Sequence, residues 1–107
     1  MGAVKHDVFQ AIADPTRREM LRLLSEKDRP ISDITSHFSI SRTAVTKHLG
    51  ILTEADLVSG KKVGREKIYS LHPEPLTELK DWLSYYERFW NNKLSMLKYL
   101  VEDDKDR

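Results

Sequence analysis

Arg42, Thr43, Thr46 and Lys47 are interleaved with Val45, Leu49 and Leu52, which recur at three- and four-residue steps. A helix that buries the aliphatic set turns the guanidinium, the two hydroxyls and the ammonium outward. Those groups suit a DNA duplex. Arginine can pair two N–H groups with O6 and N7 of guanine, worth roughly 1–3 kcal/mol of discrimination, and threonine can meet bases or phosphates. Ser41 stands just before this run, as an N-cap and, with the free N–H groups of the helix start, as an anchor for phosphate. His48, between Lys47 and Leu49, joins the set as a partly buried or phosphate-contacting side chain. A second basic cluster, Lys61, Lys62, Arg65 and Lys67, surrounds Gly64, where a hairpin tip could reach phosphates or the minor groove. Exposed hairpins also carry lysine merely to stay soluble. The place of this one, directly after the helix bearing Arg42, makes the four residues DNA-binding candidates.

The remaining elements are those needed to hold these two clusters. Val8, Phe9, Ile12 and Ala13 repeat at helical spacing and predict a short first helix over 4–13, stopped by Asp14-Pro15. Asp14 as N-cap and Pro15 at the first position start a second helix, with Met20, Leu21, Leu23 and Leu24 buried and Arg17, Arg18 and Arg22 wet. Ser32 is expected to cap a short third helix containing Ile34 and Phe38, with Ile31 stapling its start. Only Ser39-Ile40 separates it from the cap at Ser41, so two helices meet across a tight turn, and the second ends near Ala55. Residues 57–62 and 66–71, either side of Val63-Gly64-Arg65, read as a β-hairpin. From Pro75 to about Val101 the apolar residues step by three and four along one long helix. The order α-α-α-α-β-β-α, mainly α with a small β-hairpin, is that of a winged helix-turn-helix, in which the second helix of the pair enters the major groove.

The chain has 107 residues, of which 39% are hydrophobic and 33% charged, the balance of one folded domain with a single core. Residues 15–72 form the expected DNA-binding core, and 4–13 with 75–101 the expected dimerisation helices. The net charge of +1 conceals a gradient. Residues 41–72 carry six basic and three acidic side chains, whereas 1–40 carry six of each and 73–107 six and eight. The absence of cysteine excludes disulfides, thiolate catalysis and cysteine-based metal sites. No Gly-rich phosphate loop, nucleophile elbow or metal-binding dyad is present, so an enzyme is not expected. Neither a membrane-spanning run nor a signal-peptide h-region is found, which places the expected location in the cytoplasm, with no membrane partner.

Asp14-Pro15-Thr16-Arg17-Arg18 followed by Leu21 and Leu24, then Ser41-Arg42-Thr43-Ala44-Val45-Thr46-Lys47-His48-Leu49 with Leu52, then Gly64-Arg65 and Tyr69, resemble the ArsR (ArsR/SmtB) family of bacterial transcriptional regulators over residues 6–72. The resemblance implies a homodimeric winged-helix repressor that binds an inverted-repeat operator in double-stranded DNA and releases it when an effector binds. It extends to a branch without metal sensing. Where metal-sensing relatives carry a cysteine pair, this chain has Ile31-Ser32-Asp33-Ile34, and the last helix offers no histidine for the family's other site. His6, His37, His48 and His72 form no pair at i, i+4. No metal and no cofactor are expected, and an unknown small-molecule effector is left open, both its identity and whether one exists.

An apolar face as wide as that of the last helix calls for a partner surface. A second copy is the expected one, with Val8, Phe9, Leu79, Leu83, Tyr86, Trp90, Leu94 and Leu97 at the dimer interface. Two other readings stay open for the aromatic stripe: packing within its own chain, and a small-molecule pocket lined by Trp82, Tyr86, Phe89 and Trp90. Two stay open for the whole chain: a metal-responsive ArsR-type repressor, and a winged helix that binds protein and no DNA.

Overall fold

The computed structural model describes residues 6–105, with side-chain surroundings for all of these except 92–97, 99 and 102–105. Two compact units are present, residues up to Thr77 and the helical unit from Glu78 onward.

In the first unit, α1 (Val8–Ala11) is a single turn. Asp7 and Gln10 close it reciprocally, the Asp7 carboxylate accepting the Gln10 N–H at 2.7 Å and the Gln10 side-chain oxygen accepting the Asp7 N–H at 3.0 Å. The expected helix over 4–13 is thus shorter at both ends, starting only at Val8 and stopping at Ala11, and positions 4 and 5 lie outside the described residues. Helix α2 (Pro15–Glu26) begins as its sequence predicts, with the Asp14 carboxylate accepting the Arg17 N–H at 3.0 Å. Its buried face is Met20, Leu21, Leu23 and Leu24.

Arg29 and Pro30 form a strand, β1 (Arg29–Pro30), that the local pattern does not announce. Its partner is distant, Arg29 opposite Tyr69 and Pro30 opposite Ile68. Proline, which has no N–H to donate, is tolerated at such an edge. This strand changes the start of α3 (Ile31–Ser36): Pro30, still extended, stands at the N-cap, and no side chain caps the helix. Ser32 is therefore not the cap the sequence predicts. Ile31, 5% exposed, must enter the core, and that sets the helix start one residue earlier. Arg29 is itself 7% exposed. Its guanidinium donates to the Leu23 carbonyl at 3.0 Å, to Glu26 at 2.6 Å and to Asp33 at 2.7 Å, tying the end of α2 to α3.

Helix α4 (Arg42–Glu54) buries Val45, Leu49 and Leu52 completely. It ends in a left-handed residue, Asp56 with φ 61°. The Asp56 N–H donates to the Thr53 carbonyl and the Leu57 N–H to the Leu52 carbonyl, both at 3.0 Å, the bonding of a Schellman terminus. That turn drops Leu57 and Val58 into the core, 0% and 2% exposed, and starts β2 (Val58–Val63). Gly64, φ 63°, and Arg65 make the two-residue turn into β3 (Glu66–Leu71), the positive φ falling at the first central position as a type II′ hairpin requires. The sheet is antiparallel in the order β1-β3-β2, three strands where the sequence predicts a hairpin alone.

One 3-10 turn, Glu74–Leu76, leads into α5 (Thr77–Lys105), 29 residues long and so on the order of 40 Å. Trp82, Tyr85, Phe89 and Trp90 on this helix are about half exposed. Among the described residues no helix is long and apolar enough to cross a membrane.

Candidate nucleic-acid interface

Helices α3 and α4 and the β2–β3 hairpin position one face. At the start of α4 the Ser41 hydroxyl oxygen accepts the Ala44 N–H at 3.1 Å, which leaves the hydroxyl proton free to donate outward. With Val45 and Leu49 at 0% exposure, Arg42, Thr43, Thr46 and Lys47 all emerge on the exposed side, as their spacing predicts. None of Arg42, Lys47, Lys61, Lys62 and Arg65 forms an ion pair with another described residue.

His48 departs from that face. Its ring is 23% exposed, Nδ1 accepts from Arg17 Nη1 at 3.1 Å, and the Asp14 carboxylate lies 4.0 Å away. The side chain turns back toward α2 because it sits one residue before the buried Leu49. We therefore remove His48 from the DNA-facing set. Arg17 continues inward, donating to the carbonyls of Ala11 at 2.7 Å and Gln10 at 3.2 Å, and so ties α1, α2 and α4 together.

On the hairpin, Lys61, Lys62, Arg65 and Lys67 are all exposed. Lys62 stands directly opposite Lys67 across the ladder. Like charges so placed destabilise a hairpin by themselves, and an anion laid over the pair relieves the repulsion. Two positions along, Gly60 is opposite Tyr69, and the Lys67 stem crosses both: a Cβ added to Gly60 would meet Lys67 Cε, and the Lys67 ammonium lies 5.6 Å from the Tyr69 ring centre. The absent side chain at Gly60 gives the lysine its resting place.

Between hairpin and helix an open cleft of about 410 Å³ joins the two clusters, lined by Ile31, Arg42, Thr46, Lys62, Arg65, Glu66, Lys67 and Tyr69. Glu66, in this lining, and Ser32, which meets it from outside the lining, were not among the sequence candidates for chemistry. Glu66 is a carboxylate amid four cations, and Ser32, on α3, donates to it from Oγ at 3.0 Å. The signal for Glu66 was its place between Arg65 and Lys67, the one acid in the run from Lys61 to Lys67; for Ser32 there was none, since its partner lies 34 residues on.

Of the expected interface residues, Val8 is corrected: at 3% exposure it fills its own core and has no surface to offer a partner. Val8 and Ala11 are the two buried residues of this single turn. Phe9 and Leu79 are half-buried, and Leu83, Tyr86 and Trp90 are exposed by 37%, 39% and 47%. The side chains of Leu94 and Leu97 lie outside the described residues. Among the described residues no group of three or more His, Asp or Glu is arranged to hold a metal ion.

Residues 14–59, from the cap of α2 into the first strand of the hairpin, match the model of the bacterial regulatory protein, arsR family. The chain is 37% identical over 89 residues to the transcriptional repressor SdpR of Bacillus subtilis, covering 83% of this chain and 99% of that protein. It is 32% identical over 98 residues to the HTH-type transcriptional regulator Rv2034 of Mycobacterium tuberculosis, covering 92% and 89%. The solved structure of an ArsR-like transcriptional regulator from Rhodococcus sp. RHA1 superposes with a TM-score of 0.69 at 33% identity, over 90% of this chain and 88% of that one. Helix-turn-helix, basic hairpin and relatives agree: the chain belongs to the ArsR family of bacterial regulatory proteins and is a winged helix-turn-helix transcriptional regulator.

Proposed function

We propose that the chain represses transcription as a symmetric dimer bound to an inverted-repeat operator, with α4 of each protomer in the major groove. Arg42, Thr43 and Thr46 contact base edges, Lys47 and Ser41 contact phosphates, and Lys61, Lys62, Arg65 and Lys67 follow the backbone beside the groove. The observation that carries this reading is the net-basic cleft in which Arg42 on α4 and Lys62, Arg65 and Lys67 on the hairpin outnumber the single carboxylate of Glu66. A protein-binding winged helix has no need of cations on both sides of one groove. Repression follows the description of SdpR as a repressor. The dimer rests on the exposed aromatic side of α5, where Trp82, Tyr86 and Trp90 stand within ring contact of one another, Trp82 to Tyr86 at 5.4 Å and Tyr86 to Trp90 at 6.4 Å.

Two protomers related by a two-fold axis would place their half-sites about 34–36 Å apart, one turn of B-DNA. Genome-wide enrichment of DNA with the intact chain tests this. Recovery of an inverted repeat at that spacing supports the reading, and enrichment of no sequence over input overturns it.

A further inference from the structure

Among the described residues Glu66 is the only acidic one lining the basic cleft, and none of Arg42, Lys62, Arg65 or Lys67 forms an ion pair with it. Its hydrogen-bond partner is the neutral Ser32 hydroxyl, which donates to it at 3.0 Å from a different element 34 positions away. The hydroxyl fixes where the carboxylate sits without cancelling its charge. A carboxylate held in a phosphate-binding cleft opposes every phosphate that approaches, because like charges in contact are costly whatever the base sequence. It gains only from a donor, and on the major-groove edge of a base pair the donors are the amino groups of cytosine and adenine, cytosine N4 being the usual partner of a carboxylate.

Resting on the DNA-binding reading above, we propose that Glu66 is a specificity-determining residue and Ser32 its positioning residue: the carboxylate penalises sequence-independent docking on the backbone, and an operator offsets the penalty by presenting a base-edge amino group to the cleft. In non-specific complexes the protein lies on phosphates alone and the penalty stands in full. In the specific complex α4 is seated and the donor is met.

The test uses the intact chain and two probes, a randomised duplex pool and the duplexes that the wild-type chain selects from it. Glu66→Gln keeps an oxygen for Ser32 and removes the charge. It is expected to raise affinity for the pool about three- to tenfold, to steepen the slope of log affinity against log salt by about one, and to raise affinity for the selected duplexes less or not at all. Ser32→Ala is expected to move the ratio of the two affinities in the same direction with an unchanged unfolding midpoint. An equal change on both probes, or no change on either, overturns the role of Glu66, and a ratio unmoved by Ser32→Ala overturns that of Ser32. A wild-type chain that retains no duplex from the pool overturns the DNA-binding reading itself, a result seen before any variant is made.

Discussion

Arg17 Nη1 donates to His48 Nδ1 across 3.1 Å, fastening the back of α4 to α2. The front of α4 is thereby held rigid, which matters because a side chain reading a base edge must arrive in one orientation. The proposed part of His48 in recognition is this fastening alone. His48→Ala removes one partly buried hydrogen bond, worth about 1 kcal/mol, and is expected to lower the unfolding midpoint by roughly 4–8 °C. Arg17→Ala, which also frees the carbonyls of Ala11 and Gln10, is expected to cost about 1–3 kcal/mol. Thermal unfolding followed by circular dichroism measures both. The base preference of the His48→Ala chain should match wild type, and an altered preference at unchanged stability would return His48 to the DNA-facing surface.

Arg42 and Arg65 line the same cleft, and the proposed binding mode gives them different contacts, a base edge for Arg42 and the backbone for Arg65. Arg42 leads the exposed side of α4, whereas Arg65 is the second residue of the hairpin turn. Arg42→Ala is expected to cost about 1–3 kcal/mol at one base pair of each half-site, relaxing preference there and little elsewhere. Arg65→Ala is expected to weaken all duplexes alike and to flatten the salt slope by about one. Titrations of single-position operator variants at several salt concentrations separate the two patterns. If both substitutions leave operator binding at wild-type strength, the assigned surface is wrong.

Much of this site was legible from the residues because capping and periodicity are local. Asp14-Pro15 and Ser41 mark two helix starts by chemistry that acts within one turn, and the stripe of Val45, Leu49 and Leu52 settles which way Arg42 and Thr46 face. Gly64 marks the hairpin for the same reason. What escaped depended on distant pairing. β1 exists because Arg29 and Pro30 meet Tyr69 and Ile68, about forty residues on, and once that strand forms, Ile31 and not Ser32 opens α3. Val8 reads as interface by its helical spacing, yet it is buried in the core of its own protomer, which the spacing within one short helix does not reveal. The link from Ser32 to Glu66 is a tertiary fact of the same kind.

The Asp33 carboxylate makes the fold sensitive to acid. The hydrogen bond from Arg29 holds it below its ordinary value of 3.8, against a smaller opposing effect of burial. A carboxylate depressed by folding contributes stability that is fully present above its unfolded value and is lost as pH falls through the lower, folded value. Urea midpoints measured from neutrality downward are therefore expected to hold level and then fall below about pH 4. Asp33→Asn should be less stable at neutral pH, because Arg29 loses a charged partner, and its midpoint should fall less steeply in acid. Parallel acid limbs for the two chains would remove Asp33 from the account.

Leu83 is the sharpest probe of the proposed dimer, because its 37% exposure lets a polar replacement be made without opening a core. It shares α5 with Tyr86, three residues on, and Trp90, seven on, the spacing of one helix face. If that face is covered by a second copy, Leu83→Asp buries two carboxylates at a two-fold interface, each without a partner, and the cost of several kcal/mol exceeds what an ordinary dimer can absorb. Sedimentation should then show the mass of one chain, with the unfolding curve of the monomer still cooperative. Operator affinity should fall by about 10²-fold or more, since two half-sites no longer bind as a linked pair. A variant that sediments as a dimer would move the interface off this face of α5, while a wild-type chain that sediments as a monomer would leave α4 and the hairpin to find DNA one half-site at a time.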